Sequence, residues 1–124
     1  MDGITTKEVS QLGYYQGPNA IQGIKFRSAA KDLGVTAWGM NVIEIEAACL
    51  DYPEHDHVKD GQEEVYVVLR GDGHLQSGNR KVSLKIGTLV RVGAVEKRKI
   101  LPGPNGITVL ALGATPGQAY KPRQ

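Results

Sequence analysis

The sequence predicts an all-β domain, a small sandwich or barrel. Sixteen glycines and six prolines punctuate its 124 residues, at the spacing of about eight to twelve residues that turn signals take in such folds. The runs between them are short and rich in valine, isoleucine, leucine and tyrosine, which suit a pleated, half-buried surface. No stretch shows the apolar period of an amphipathic helix.

The elements follow in order. Residues 23–28 are a short opening strand. Residues 28–33 make one helical turn or a hairpin bend, ending at Gly34 in either case. Residues 35–47 are a long strand, with Asn41, Ile43, Ile45 and Ala47 on one face and Met40, Val42, Glu44 and Glu46 on the other. Residues 52–57 follow after a bend, and residues 64–70 are the strongest strand. Gly71-Asp72-Gly73 has turn chemistry. Residues 74–77 and 81–85 flank Gly78-Asn79 as a hairpin. Strands at 89–92 and 97–101 come next. Pro102-Gly103-Pro104-Asn105-Gly106 reads as a rigid turn and residues 107–112 as the last core strand. Trp38 and Met40 are expected to pack at one end, and His74, after a glycine turn, at the surface.

Composition narrows the functional classes. Charged residues are 23% and apolar residues 40%, an ordinary globular mix in a chain long enough for one real core. The net charge is +2, and the only basic cluster is Lys97-Arg98-Lys99. Neither nucleic acid nor a membrane is an expected partner. No charged-then-apolar leader and no long apolar run is present, so the expected location is cytoplasmic. Cys49 is the only cysteine. It excludes an internal disulfide and reads as a buried structural thiol rather than a nucleophile. Gly71-Asp72-Gly73 joins two strands with no helix following, so it is not a phosphate loop, and no nucleotide cofactor is expected. No Ser-His-Asp or Cys-His set with a plausible pattern is visible.

The chemistry concentrates in Pro53-Glu54-His55-Asp56-His57 and the run opening at Glu64. Side chains two apart on a strand share a face. His55 and His57 therefore project together, and Glu64 shares a face with Tyr66 and Val68. If that face is the one the imidazoles see, two histidines and a carboxylate converge, a donor set suited to iron, nickel, zinc or manganese. The bland alternative is a pair of surface histidines and a solvated Glu63-Glu64 strand start. Tyr66 is a pocket hydroxyl or a core tyrosine with a satisfied hydroxyl.

This pattern resembles the first signature motif of the cupin superfamily: glycine, His-x-His, glutamate, then glycine six residues on. His55-Asp56-His57 matches the histidine pair, and Glu64 matches the glutamate because six residues separate it from Gly71. Two departures stand out. Cys49 occupies the place of the leading glycine, and six residues, 58–63, separate His57 from Glu64 where the family has three or four. The second motif aligns with residues 87–100. Gly87 and the strand at 89–92 fit, Gly93-Ala94-Val95 replaces Pro-x-Gly, and the histidine position falls on Arg98.

The resemblance implies a jelly-roll, double-stranded β-helix barrel over residues 23–113, an N-terminal arm at 1–22 and a C-terminal tail at 114–124. It also implies a homodimer and a divalent metal held by His55, His57 and Glu64, with Arg98 and Tyr66 placed to meet a small, anionic molecule. If there is catalysis, it is dioxygenation or isomerase/lyase chemistry. A guanidinium cannot ligate a metal. Arg98 would instead pair with Glu64 in a metal-free sensing or binding barrel, hold a substrate anion over a three-ligand metal, or lie on the surface beside Lys97 and Lys99. Alternation puts Arg98 with Ile100, opposite those lysines, which favours an inward side chain. A barrel kept only for structure or interaction is the third functional reading.

Overall fold

The structure, a computed structural model, describes residues 3–122. A short 3-10 turn, Val9–Gln11, precedes six strands and one helical turn. The strands are β1 (Ile24–Arg27), β2 (Gly39–Ile45), β3 (Glu63–Ser77), β4 (Arg80–Lys85), β5 (Leu89–Val92) and β6 (Lys99–Ala114), and the helical turn is α1 (Ala29–Leu33). All pairings are antiparallel, in the order β1-β2-β6-β3-β4, with β5 also on β3. This is the all-β barrel that the turn spacing predicts.

Two long strands carry the barrel. The first half of β3 pairs with β5 and the second half of β6, and its second half pairs with β4 and the start of β6. Residues from both halves meet in one core: Ile43, Ile45, Tyr66, Val68, Ile107 and Val109 from one side, Leu75, Leu84 and Ile100 from the other. The sheet therefore wraps onto itself around a single interior.

Two expected turns are not turns. Gly71-Asp72-Gly73 lies inside β3, and residues 102–106 lie inside β6, facing it. The register slips between Val68 and Arg70 and again between Gly71 and Gly73. These bulges switch the buried positions of β3 from Tyr66 and Val68 to Gly73 and Leu75, and those of β6 from Ile100 to Ile107 and Val109. A one-residue slip flips every side chain across a strand. The glycines are there for close approach: a Cβ on Gly71 would stand 2.1 Å from the Gly106 carbonyl oxygen, and one on Gly73 would stand 2.1 Å from that of Leu101. Sequence alone reads such glycines as a reversal because both roles demand the same residue.

Other boundaries shift less. The helical reading of residues 28–33 is the one realised. Gly34, at φ 81°, caps it by donating to the carbonyls of Ala30 and Lys31. β2 begins only at Gly39, because residues 35–38 leave the helix without sheet partners. Residues 52–57 are not a strand: they run extended beside residues 94–98 and make one antiparallel bridge, His55 with Arg98. Gly78-Asn79 does turn the β3–β4 hairpin, joining Ser77 to Arg80.

The outer face of the sheet is partly covered. Leu12 from the N-terminal arm and Ala29 from α1 bury Val42, with Met40 and Leu110 against them. The arm is tied down by Arg27, whose Nη1 donates to the Leu12 carbonyl at 2.7 Å, and by Asp32, which accepts from the Gly13 amide at 2.7 Å. Trp38 stays 44% exposed, outside the core where it was expected. His74 is exposed, as its place after a glycine suggests. Among the described residues no helix is long and apolar enough to cross a membrane.

The close approach at the bulge makes Gly71 less replaceable than a glycine that serves only its dihedral angle. Gly71→Ala adds a backbone clash to a φ of 74°, whereas Gly87→Ala, at φ 88°, meets nothing within 4 Å. Urea unfolding should show a loss of about 1 kcal/mol for Gly87→Ala and at least about twice that for Gly71→Ala. Equal losses would mean that Gly71 serves only its dihedral angle.

Candidate metal centre

The site is assembled from three segments that the sequence keeps apart. Glu64 and Tyr66 stand on the inner face of β3. His55 and His57 come from the extended segment before it, and Arg98 from the residue just ahead of β6. The bridge between His55 and Arg98 is a full hydrogen-bonded pair, with amide-to-carbonyl distances of 3.0 and 2.9 Å. Directly opposed residues in an antiparallel pair present their side chains to the same face. Position 98 is therefore a structural neighbour of His55.

The long connection from His57 to Glu64 is folded into a compact turn. The Gly61 amide returns to the His57 carbonyl at 2.7 Å, with Gly61 at φ 69°. Asp56 accepts from the Val58 amide at 3.1 Å and Asp60 from that of Gln62 at 3.0 Å. Thr115 pins the turn from β6's end by donating to the Asp60 carbonyl at 2.8 Å. The extra residues are absorbed locally, and Glu64 still reaches the histidines.

His55, His57 and Glu64 offer ligand atoms that all lie within 4.8 Å of one another. The two imidazoles stand edge to face, 5.2 Å between centroids. Each is oriented from its far side. His55 Nδ1 is 3.0 Å from the Pro53 carbonyl oxygen, and His57 Nδ1 is 3.1 Å from an Asp60 carboxylate oxygen. Both oxygens can only accept, so both Nδ1 atoms carry protons. In a neutral ring that leaves Nε2 as a lone pair. Both Nε2 atoms point at the same oxygen, Glu64 Oε1, from 4.0 Å for His55 and 3.3 Å for His57.

The same oxygen is the focus of the rest of the site. It accepts from the Tyr66 hydroxyl at 2.7 Å and from Arg98 Nη2 at 3.1 Å. Arg98 is fully buried; its Nη1 donates to the Glu96 carbonyl at 2.7 Å, and among the described residues its Nε has no hydrogen-bond partner. The inward orientation expected from Ile100 is the one found, and the guanidinium contacts Glu64 through a single bond rather than a fork.

Burial pushes the Tyr52 phenol up to about 12, a rise that hydrogen bonding with Tyr66 partly offsets. Burial also drives the Tyr66 phenol well above the ordinary range, assisted by Tyr52 and the Glu64 carboxylate. Both stay neutral at ordinary pH, so Tyr66 serves as a hydrogen-bond donor rather than a base.

Two members of the site escaped the sequence reading. Asp60 orients His57, but a carboxylate three residues after a histidine signals nothing until the intervening turn is known. Tyr52 lies against His55, 5.8 Å between centroids. Its odd spacing from His55 would have placed it on the opposite face of a regular strand.

No protein-family model matches the sequence, and no curated protein matches it. Solved structures do resemble it. A cupin protein from Bacteroides fragilis aligns at 22% identity and TM-score 0.66, over 88% of this chain and 91% of that one. A sugar phosphate isomerase from a cupin superfamily, from Silicibacter pomeroyi, aligns at 14% identity and TM-score 0.72, over 88% and 74%. A predicted oxalate decarboxylase from Thermotoga maritima aligns at 17% identity and TM-score 0.66, over 87% and 96%. At such identities the likeness is one of fold, and the shared fold is the cupin barrel.

The buried phenols set an alkaline limit. Unfolded tyrosine releases its proton near 10, whereas folded Tyr52 keeps it to about 12. The folded state thus binds the extra proton in that window, and its advantage, complete below pH 10, is lost as the pH rises to about 12. Denaturant midpoints should fall across that range, and Tyr52→Phe should remove on the order of 2 kcal/mol of the pH-dependent part. A variant with an unchanged slope would place the effect elsewhere.

Proposed function

We propose that this cupin-fold protein holds a divalent metal ion on His55, His57 and Glu64 and uses it to bind a small anionic molecule. The observation that carries this reading is the pair of Nε2 lone pairs aimed at one carboxylate oxygen, with both Nδ1 protons committed to other acceptors. The Arg98 guanidinium already compensates that oxygen at 3.1 Å, and a metal among the three would also take up the two imidazole lone pairs. The donor set, two imidazoles and a carboxylate, suits iron, nickel, zinc or manganese, and the Nδ1 contacts are the outer-shell support that metal-bound histidines take.

A metal there would supply an open coordination position for oxygen or polarisation of a bound carbonyl. The chain's own groups have separate tasks. Tyr66 holds the Glu64 carboxylate in place with a neutral hydroxyl. Arg98 neutralises part of its charge and is the cation beside the site whose field would attract an anion. Two structurally similar proteins are described as a sugar phosphate isomerase and a predicted oxalate decarboxylase. Both descriptions name small anions, which supports the same substrate class here.

A second reading rests on the Arg98–Glu64 contact at 3.1 Å. In it the guanidinium is the resident cation, the histidines are protonated, and the barrel binds a ligand without metal or turnover. Metal analysis of untagged protein after incubation with iron, nickel, zinc or manganese separates the two. The first reading expects about one ion per chain, lost in the His55→Ala/His57→Ala variant. No bound ion, or binding that survives the double substitution, leaves the second.

Arg98→His tests the arrangement further. It places an imidazole beside His55 and removes the competing cation. Metal affinity should rise at least about tenfold, read by competition with a chelating dye. The metal-free variant should lose about 3 kcal/mol, because Glu64 is left without its buried partner. Unchanged affinity would mean that position 98 does not face the metal.

A further inference from the structure

A cavity of about 540 Å³ lies on the outer face of the barrel, and no residue lining it belongs to the His55–His57–Glu64 cluster. Its floor is a row across four strands: Lys25 opposite Glu44, Glu44 opposite Thr108, Thr108 opposite Arg70. Lys25, Glu44 and Thr108 alternate with the core residues Ile24, Ile45 and Ile107 and so point outward, and Arg70, set past the bulge that follows Val68, is exposed on the same lining. The arm from Tyr14 to Gly23 forms the wall.

That wall is built rather than loose. The Tyr15 amide donates to the Phe26 carbonyl at 2.9 Å, and the Tyr14 ring lies 5.2 Å from Lys25 Nζ and 5.3 Å from the Arg27 guanidinium. The Tyr15 hydroxyl accepts from the Asn19 amide at 3.2 Å, folding back over Gly17, where a Cβ would stand 2.3 Å from that hydroxyl. Two aromatic rings and Ile21 thus overlook a charged floor.

The charges on that floor are unequal in availability. Glu44 is paired with Arg27. Arg70 is exposed, and among the described residues its guanidinium has no hydrogen bond or ion pair. It is the register partner of Thr108 across β3 and β6, and both residues line the cavity. A free guanidinium next to a hydroxyl takes a carboxylate through parallel N–H donors. Glu44 and Glu46 on the same lining would repel a doubly charged phosphate more strongly than a singly charged carboxylate.

We infer that this cavity is a second binding site, separate from the histidine cluster, for a small aromatic carboxylate whose anion pairs with Arg70 and Thr108 and whose ring lies against Tyr14 and Tyr15. The volume suits a ligand of one or two rings. The site stands independently of metal binding.

The test is an amide-shift titration of the isotope-labelled full chain with sodium benzoate, phenyl phosphate and benzyl alcohol. Benzoate should move the amides of Tyr15, Lys25, Glu46 and Thr108 saturably, with a dissociation constant of about 1 mM. Phenyl phosphate and benzyl alcohol should bind at least about fivefold more weakly. Arg70→Gln should weaken benzoate about tenfold, and Thr108→Val should weaken it measurably while keeping the wild-type spectrum elsewhere. Absence of saturable shifts up to about 20 mM overturns the proposal. So do benzyl alcohol binding as tightly as benzoate, shifts confined to His55, His57 and Glu64, or affinity unchanged in both variants.

Discussion

A carboxylate drawn out of water has to be compensated, and in this barrel that requirement falls on Glu64. Its Oε1 is approached by a phenol, a guanidinium and two imidazoles from three segments of the chain, its own strand included. Burying such a charge without partners costs several kcal/mol, and the segments that bring the partners are tied down by their own backbone hydrogen bonds. The His55–Arg98 bridge and the Asp60 turn can be understood in that light: neither builds much sheet, and both deliver a side chain to Glu64.

The barrel makes this convergence possible through its irregularities. β3 and β6 each contribute to both ends of the core because their paired bulges switch the inward face midway. With unbroken alternation, the face bearing Glu64 and Tyr66 would not hand over to Leu75, and Ile100 would not share an interior with Val109. Gly71 and Gly73 let the two backbones approach where the switch occurs. On the other side, the N-terminal arm and α1 cover Val42 and Leu110, and Arg27 ties the arm to the sheet through both Leu12 and Glu44. One sheet thus has a polar site within and a separately walled cavity outside.

Much of this was legible in the residues. Alternation paired Ile43 with Ile45 and Arg98 with Ile100, because side chains two apart on an extended chain share a face. The His-x-His pair and the carboxylate marked the site by their donor chemistry. What misled was glycine and proline at 71–73 and 102–106. A bulge and a reversal both need residues without a bulky Cβ, and only the partner strand tells them apart. Asp60 and Tyr52 were invisible for a related reason, since each reaches the histidines through irregular backbone that carries no period.

The sequence by itself determined an all-β fold and the side-chain chemistry of the site, and favoured an inward Arg98, because those depend on composition and local alternation. The tertiary structure decided that Glu64 meets His55, His57, Tyr66 and Arg98 at a single oxygen. It also decided that the outer row from Lys25 to Arg70 lies beneath two tyrosines. Both are matters of register between strands distant in sequence, set by bulges and bridges whose energies come from pairing rather than from any one residue's preference.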